Sequence, residues 1–369
     1  MQLWFAWVEA LVVLAVVVLG THHGLTVTPS SPQITRSAVL YTLIACLILG
    51  SSTFFLHQRF QKHRLPPGRP LEWSGGPLVL GHRGCRPTQR RHARAVDMPP
   101  ENTLEAFAYA LARGVKGVEL DVRLTQDGVP VVFHDAYIGR CLECDKNVKV
   151  SDLTLRQLQK LQFKNVSMAS CSSGSWAQVP TLHDALALVK ERRVTVLIET
   201  KDTRRVRELA TKVVELIRQH DLQEDAVVIS FDPRSLYHVR RIASEIRTCW
   251  LWAPGIFTVW ALSSIEALPW SLRAIAPLVD LALLLTAHPA LLPTFLGVSV
   301  VGPIAGLRRC GLNAAWRRGI ATYVWVVNTA ELRDGVVSLS EQGLWAYSTD
   351  DLWPRLLAPL GRSTTTDSC

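Results

Sequence analysis

Leu80-Gly81-His82-Arg83-Gly84 and Val118-Glu119-Leu120-Asp121-Val122 decide how this chain reads. Alternate side chains of an extended strand face the same way, so Glu119 and Asp121 point to one side together. Two adjacent carboxylates repel unless a cation lies between them, and hard oxygen ligands suit Mg²⁺ or Ca²⁺. Val118, Leu120 and Val122 make the other face apolar. The turn Gln126-Asp127-Gly128 then reverses the chain, and a second strand, Val129 to Phe133, delivers His134-Asp135 nearby. His82 and His134 each close an apolar run, Leu78-Val79-Leu80 and Val131-Val132-Phe133. Polar residues capping several buried strands are the arrangement expected of a barrel active site. A carboxylate pair, two histidines and an arginine at strand ends point to phosphodiester chemistry.

Outward from these strings, apolar runs alternate with helix-like stretches, as in parallel α/β folds. Strand candidates end at His82, Asp121, His134, Glu199, Phe231, Trp252, Val301 and Asn328, with a short one before Thr349-Asp350. That is one more than a (β/α)8 barrel of TIM type requires, and the hairpin joining the runs before Asp121 and His134 accounts for the excess. Helices are expected at Leu104 to Arg113, Leu182 to Arg192 and Arg204 to His220. In the last, Val206, Leu209, Val213, Leu216 and Ile217 form a core stripe.

The chain has 369 residues, enough for one such barrel with extras. Its net charge of +9, twelve tryptophans and positive mean hydropathy fit a membrane-associated protein. Residues 1–64 read as an anchor with two apolar segments, about 3–20 and 38–56, each approaching the length that crosses a bilayer core. A cleaved signal peptide is the alternative for the first, but it has no basic start and no clear cleavage site. Arg59, Lys62, Arg64 and Arg69 crowd the exit of the second segment and favour a cytosolic barrel. The sequon Asn165-Val166-Ser167 favours the opposite side, because it is glycosylated only in the lumen. Cys141 and Cys144 permit either a local disulfide or free thiols. Residues 65–77 read as a Pro/Gly-rich linker, 78–356 as the barrel, and 357–369 as a polar tail.

The order Gly-His-Arg-Gly, Pro100-Glu101-Asn102-Thr103, Gly-Val-Glu-Leu-Asp-Val and Asp-Gly-Val-Pro-Val-Val-Phe-His-Asp resembles the glycerophosphodiester phosphodiesterase family. The likeness continues through Val179 to Leu182, Leu197 to Lys201, Ser230-Phe231 and Val324 to Asn328, covering about Leu78 to Leu352. Within the family the chain looks most like the membrane-bound animal type that acts on glycerophosphoinositol and related deacylated lipids. The resemblance implies a divalent cation, Mg²⁺ or Ca²⁺, on Glu119, Asp121 and Glu199, and acid–base work by His82 and His134. It also implies a luminal or extracellular barrel, on the plasma membrane or an endomembrane. Lys201 lies two residues from Glu199 on one strand, so both can face the pocket. Arg83 offers a forked donor set to phosphate oxygens. Glu101 is expected to orient His82 or join the metal shell, and Trp325 to wall the glycerol side. Thr200 stands where the family commonly carries an aliphatic residue, and it is expected to face away from the pocket.

Three segments exceed a minimal barrel. Cys85 to Met98, with Arg86, Arg90, Arg91, His92 and Arg94, is a solvated basic loop or a phosphate-recruiting rim; members of the family usually cross this gap in fewer residues and carry a glycine where Cys85 stands. Residues 136–179 match the insertion that marks the family and are expected to form a cap over the strand ends. Residues 253–296 carry tryptophans, few charges and repeated prolines, as an interfacial segment contacting the bilayer would. The expected reaction is metal-dependent hydrolysis of a glycerophosphodiester to glycerol 3-phosphate and an alcohol. A lysophospholipase D acting on lysophospholipids or N-acylethanolamine precursors would need the same groups. A non-catalytic membrane scaffold for a signalling protein partner is the alternative of another class, though a scaffold has no use for three repelling carboxylates. The partners expected are the small-molecule substrate and the lipid bilayer; nucleic acid is not among them.

Overall fold

Nine apolar runs form strands: β1 Leu78–His82, β2 Gly117–Leu124, β3 Pro130–Val132, β4 Thr195–Thr200, β5 Ala226–Ser230, β6 Arg247–Trp252, β7 Val300–Pro303, β8 Ala321–Val324 and β9 Leu344–Thr349. The structure, a computed structural model, describes residues 58, 62–71, 76–86, 98–164, 178–253, 255, 291–305, 318–338, 343–350 and 352. The apolar segments at 3–20 and 38–56, the sequon at Asn165, the basic residues 87–97, most of 253–296 and the tail 357–369 lie outside the described residues. Among the described residues no helix is long and apolar enough to cross a membrane. The chain divides into Met1–Arg64 and Leu65–Cys369, and the second unit carries the sheet.

Pairing runs β1-β9-β8-β7-β6-β5-β4-β2, and β1 also pairs with β2, so eight parallel strands close into a barrel. β3 pairs only with β2, antiparallel, through Val122 opposite Val132 and Leu124 opposite Pro130. The ninth strand is thus the hairpin arm, as its spacing implied. Strand limits differ from the expected ones for the same reason. β2 runs to Leu124 because its last residues serve the hairpin, and β8 stops at Val324, leaving Asn328 in the loop beyond it. β7 likewise continues past Val301 to Pro303.

Both faces of the barrel strands are buried, which explains their near-continuous apolar character. Val118, Leu120 and Val122 face outward onto Leu182, Leu186 and Val189 of helix Leu182–Arg192 and onto Leu209, Val213 and Ile217 of helix Val206–Gln219. Leu80, Leu197, Ile229, Cys249, Leu251, Tyr323 and Trp345 fill the interior. Capping starts the helices where the strand-end loops finish. Thr103 caps helix Leu104–Ala112, Thr181 and Asp184 form a capping box, and Asp232 caps helix Pro233–Ile242.

Residues 65–71, read as a linker, are docked under the barrel. The Leu65 amide donates to the Phe295 carbonyl at 2.9 Å. Arg240 donates to the carbonyls of Pro66 and Pro67, and Arg247 to that of Pro70. Prolines supply the carbonyls and have no amide to satisfy, so the segment suits a row of arginine donors. In the insertion, Ile138, Leu142, Val150, Leu158 and Phe163 form a small core with Val131 and Phe133. It is built on the hairpin that carries His134. Cys141 and Cys144 there are free thiols.

Leu120, fully buried between strand and helices, provides a direct test of this packing. Leu120→Ala is expected to destabilise the fold by about 2–5 kcal/mol, read as a lower denaturation midpoint at unchanged slope.

Candidate active site

The site is built where β1, β2 and β4 end side by side. Register places His82 opposite Glu119 and Asp121 opposite Glu199. Alternation aims Glu119, Asp121 and Glu199 into the barrel while Val118, Leu120 and Val122 face out. After His82 the chain turns sharply through Arg83 (φ 54°) and Gly84 (φ 76°). A Cβ on Gly84 would lie 2.7 Å from the backbone of Ala106, so this turn requires glycine. The turn aims the Arg83 amide at Glu119 Oε2, 3.0 Å away.

Ligand oxygens of Glu119, Asp121 and Glu199 all lie within 4.8 Å of one another, and the three residues are buried. Glu119 Oε1 and Asp121 Oδ1 have no hydrogen-bond partner. Buried carboxylate oxygens are costly without a partner, and such a set fits a hard divalent cation. Protein cations compensate part of the charge. Lys201 Nζ is 2.5 Å from Glu199 Oε1 and 3.3 Å from Asp121 Oδ1, and Arg83 Nε is 3.3 Å from Asp121 Oδ2. Burial and the neighbouring Asp121 push the Glu119 carboxyl up to about 8. Asp121 behaves oppositely: burial would raise it, but Lys201, His134 and Arg83 hold it well below the usual carboxylate range. Burial would likewise discharge Lys201, yet Glu199 and Asp121 keep its ammonium above its ordinary value.

Each histidine is held by a carboxylate on Nδ1. His82 Nδ1 lies 2.6 Å from Asp350 Oδ1, and His134 Nδ1 lies 2.6 Å from Asp135 Oδ1. With Nδ1–H given to these carboxylates, Nε2 of each ring is left to exchange a proton. Burial works against protonated His82, but Glu119, 3.7 Å from Nε2, and Asp350 outweigh it and raise the ring. For His134 burial prevails over Asp135 and lowers it. Arg123 donates to the carbonyls of both His134 (2.7 Å) and Lys201 (3.0 Å), tying the hairpin to the end of β4. A cavity of about 610 Å³ opens beside His134, lined by Arg123, Asp135, Tyr137, Arg140 and Lys146.

The structure brings His82, Arg83, Glu119, Asp121, Glu199, Lys201 and His134 together. Glu101 sits elsewhere than expected. Its carboxylate meets Arg83 (3.0 Å), Arg86 (3.2 Å) and Arg140, and it neither orients His82 nor joins the carboxylate cluster. Three guanidiniums outcompete both partners, holding the Glu101 carboxyl below its usual range against burial. Trp325 Nε1 donates to the Gly302 carbonyl, and its ring meets Phe231 edge-on at 5.3 Å. Lys201 Nζ stands 5.9 Å from the Phe231 ring, so this aromatic pair borders the cation. Thr200 bonds Ser235 on the outer side at 2.8 Å, facing away from the site as expected.

Three residues given no role by the sequence argument are part of this assembly. Asn102 donates from Nδ2 to Asp121 Oδ2 at 2.8 Å and accepts the Asp121 amide at 3.2 Å. Its positive φ of 61°, which asparagine tolerates, was latent in the Pro-Glu-Asn-Thr string. Asp350 orients His82, and Asn328 orients Asp350 by donating to Oδ2 at 2.7 Å. No local pattern links His82 to a carboxylate 268 positions away. An amide at 350 offers one acceptor where two donors must be met. Asp350→Asn is therefore expected to lower catalytic turnover by tenfold or more, toward the roughly 10⁴-fold seen when such a carboxylate behind a catalytic histidine is made an amide. Unchanged turnover in a kinetic assay would leave Asp350 a purely structural residue.

The model of the glycerophosphoryl diester phosphodiesterase family matches residues 82–352. The chain is 30% identical over 187 residues to a glycerophosphodiester phosphodiesterase of Caldanaerobacter subterraneus subsp. tengcongensis, covering 50% of this chain and 71% of that one. It is 31% identical over 236 residues to Homo sapiens glycerophosphodiester phosphodiesterase 1, covering 62% of this chain and 63% of that one. An Oleispira antarctica phosphodiesterase solved with the product sn-glycerol-3-phosphate superposes with a TM-score of 0.54 at 22% identity, covering 76% of this chain and 95% of that one. A glycerophosphodiester phosphodiesterase of Agrobacterium tumefaciens gives 0.54 at 20% identity, over 77% and 100%. The two structures share the fold, and the family match runs from the end of β1 past β9 and takes in every residue of the site described above: the chain belongs to the glycerophosphoryl diester phosphodiesterase family.

Proposed function

We propose that this protein hydrolyses a glycerophosphodiester to glycerol 3-phosphate and an alcohol, with a divalent cation, Mg²⁺ or Ca²⁺, on Glu119, Asp121 and Glu199. The observation that carries the reading is the buried carboxylate cluster, in which Glu119 Oε1 and Asp121 Oδ1 accept no hydrogen bond, flanked by two carboxylate-held histidines. The sn-glycerol-3-phosphate bound to the Oleispira enzyme supports the product. A cation held by Glu119, Asp121 and Glu199 would supply neutralisation of the phosphodiester's charge. Arg83 and Lys201 hold the phosphate by charge-assisted donors and fix its orientation. His82, its Nδ1 fixed by Asp350, accepts at Nε2 the proton that the nucleophile loses. His134, beside the 610 Å³ cavity that has room for the alcohol, returns a proton to the leaving oxygen. Trp325, with Phe231 against it, walls the glycerol side beside Lys201. The apolar segments 3–20 and 38–56 anchor the barrel to a membrane in this reading.

Glu119→Ala removes one carboxylate of a mutually repelling set, so the protein is expected to stay folded while hydrolysis is lost. EDTA should abolish the activity of the unaltered protein and a divalent cation restore it; full activity after chelation would overturn the metal assignment.

A second experiment addresses proton transfer. His134→Ala should cost about 10²–10⁴-fold with glycerophosphoinositol, whose alkoxide needs a proton, and far less with a nitrophenyl ester, whose leaving group does not. Equal losses with both substrates would remove His134 from the acid role.

A further inference from the structure

On the outer wall of the barrel, helices Val206–Gln219, Pro233–Ile242 and Leu291–Leu296 border a cavity of about 1030 Å³, separate from the carboxylate cluster. Arg204, Arg207 and Arg241 line it and are exposed, and among the described residues no carboxylate pairs with any of them. Neighbouring arginines are engaged otherwise: Arg234 grips Asp232, and Arg205 donates to the carbonyls of Leu124 and Thr125. Glu208, the one carboxylate among the described lining residues, pairs with Lys212 at 3.6 Å. The local field is positive enough to act on His238. Burial together with the charges of Arg207 and Arg241 lowers that ring, whose Nε2 meets Thr211 at 3.2 Å.

The floor of the same groove is apolar. Tyr237 and Phe295 stack with ring centroids 6.0 Å apart and planes inclined by 11°, and Leu292 lies alongside. A free anion would use the guanidiniums and leave the aromatic floor idle. An apolar peptide would leave three like charges uncompensated. An anionic amphiphile satisfies both, with its phosphate on the arginines and its glycerol and upper acyl region on the rings.

Chain length restricts where such an amphiphile is met. The Leu65 amide is bonded to the Phe295 carbonyl, so the polypeptide enters the barrel beside this groove. The apolar segment 38–56 ends nine residues earlier, a reach of about 30 Å at most. The residues leading into Leu292 and Phe295 from the other side, 256–290, carry only Glu266, Arg273 and Asp280 as charged side chains besides His288. We propose that this groove docks the barrel wall on an anionic phospholipid surface, through Arg204, Arg207 and Arg241 at the headgroups and Tyr237 and Phe295 beneath them. The assignment goes beyond the hydrolytic reading and rests only on the membrane anchor, segment 38–56, proposed with it. Docking would hold the substrate-binding end of β4 and β5 at a fixed height over the bilayer, because Arg204 and Arg234 sit at the start of the helices that follow those strands.

The test uses the full chain in nanodiscs of phosphatidylcholine alone or mixed with phosphatidylserine, with amide hydrogen exchange as the readout. Exchange in 204–208 and 234–242 is expected to slow in the phosphatidylserine discs only, and the slowing to vanish at high salt. Arg207→Glu with Arg241→Glu is expected to abolish it. The milder Arg207→Gln with Arg241→Gln, which creates no new repulsion with Glu208, should weaken it in the same direction. Thermal melting and hydrolysis of a soluble glycerophosphodiester should be unchanged in both variants, since neither arginine is part of the site. Three outcomes overturn the proposal: equal exchange in the two lipid compositions, equal slowing by inorganic phosphate in neutral discs, or slowing that survives the charge reversal. Incorporation into neutral discs reports the anchor separately, and hydrolysis reports the proposed function separately.

Discussion

Three carboxylates packed together where the barrel strands end are the constraint on which the rest depends. Glu119, Asp121 and Glu199 are buried with oxygens within 4.8 Å of one another, where mutual repulsion and desolvation act together. Lys201 and Arg83 offset part of that cost, and Asn102 satisfies one oxygen of Asp121. Two oxygens remain without a hydrogen bond, and they define where a cation fits. The cations lie nearer Asp121, which Lys201 and Arg83 hold low, while burial and Asp121 itself push Glu119 up.

Barrel geometry makes this cluster attainable at modest cost elsewhere. Strands buried on both faces devote their outward residues to helices and their inward ones to a packed interior, and acidic residues gather at the inward positions where β2 and β4 end. His82, Glu119, Asp121 and Glu199 stand together on three neighbouring strands, fixed by register. The hairpin adds a fourth element without widening the barrel, because β3 pairs outside the ring. Arg123 then ties its tip to β4, so His134 is positioned by a strand end and by a guanidinium clamp together.

A second charged assembly surrounds the first. Glu101 gathers Arg83, Arg86 and Arg140, and Arg140 also grips Asp135, which holds His134. The loop after β1, the start of helix Leu104–Ala112 and the insertion are thereby joined at one carboxylate. A change at Glu101 would release three cations at the edge of a phosphate site, so its effect on substrate would come through them.

The sequence by itself determined the alternation of strands and helices, the hairpin and the inward direction of Glu119 and Asp121, because apolar runs, turn residues and strand alternation are local. Glu119 with Asp121 was legible from spacing alone, while Glu199 came from the family resemblance, with its two-residue spacing from Lys201 in agreement. Helix limits fell within two residues of those expected, since caps such as Thr103 and Thr181 are written locally. What only the tertiary structure decided were the partners. Asp350 behind His82, Asn102 on Asp121 and the arginines around Glu101 come from loops distant in sequence, and which donor reaches which oxygen depends on side-chain geometry that no spacing encodes. The docking of residues 65–71 was hidden for a related reason: a Pro/Gly-rich stretch reads as a spacer until Arg240 and Arg247 are seen to donate to its carbonyls.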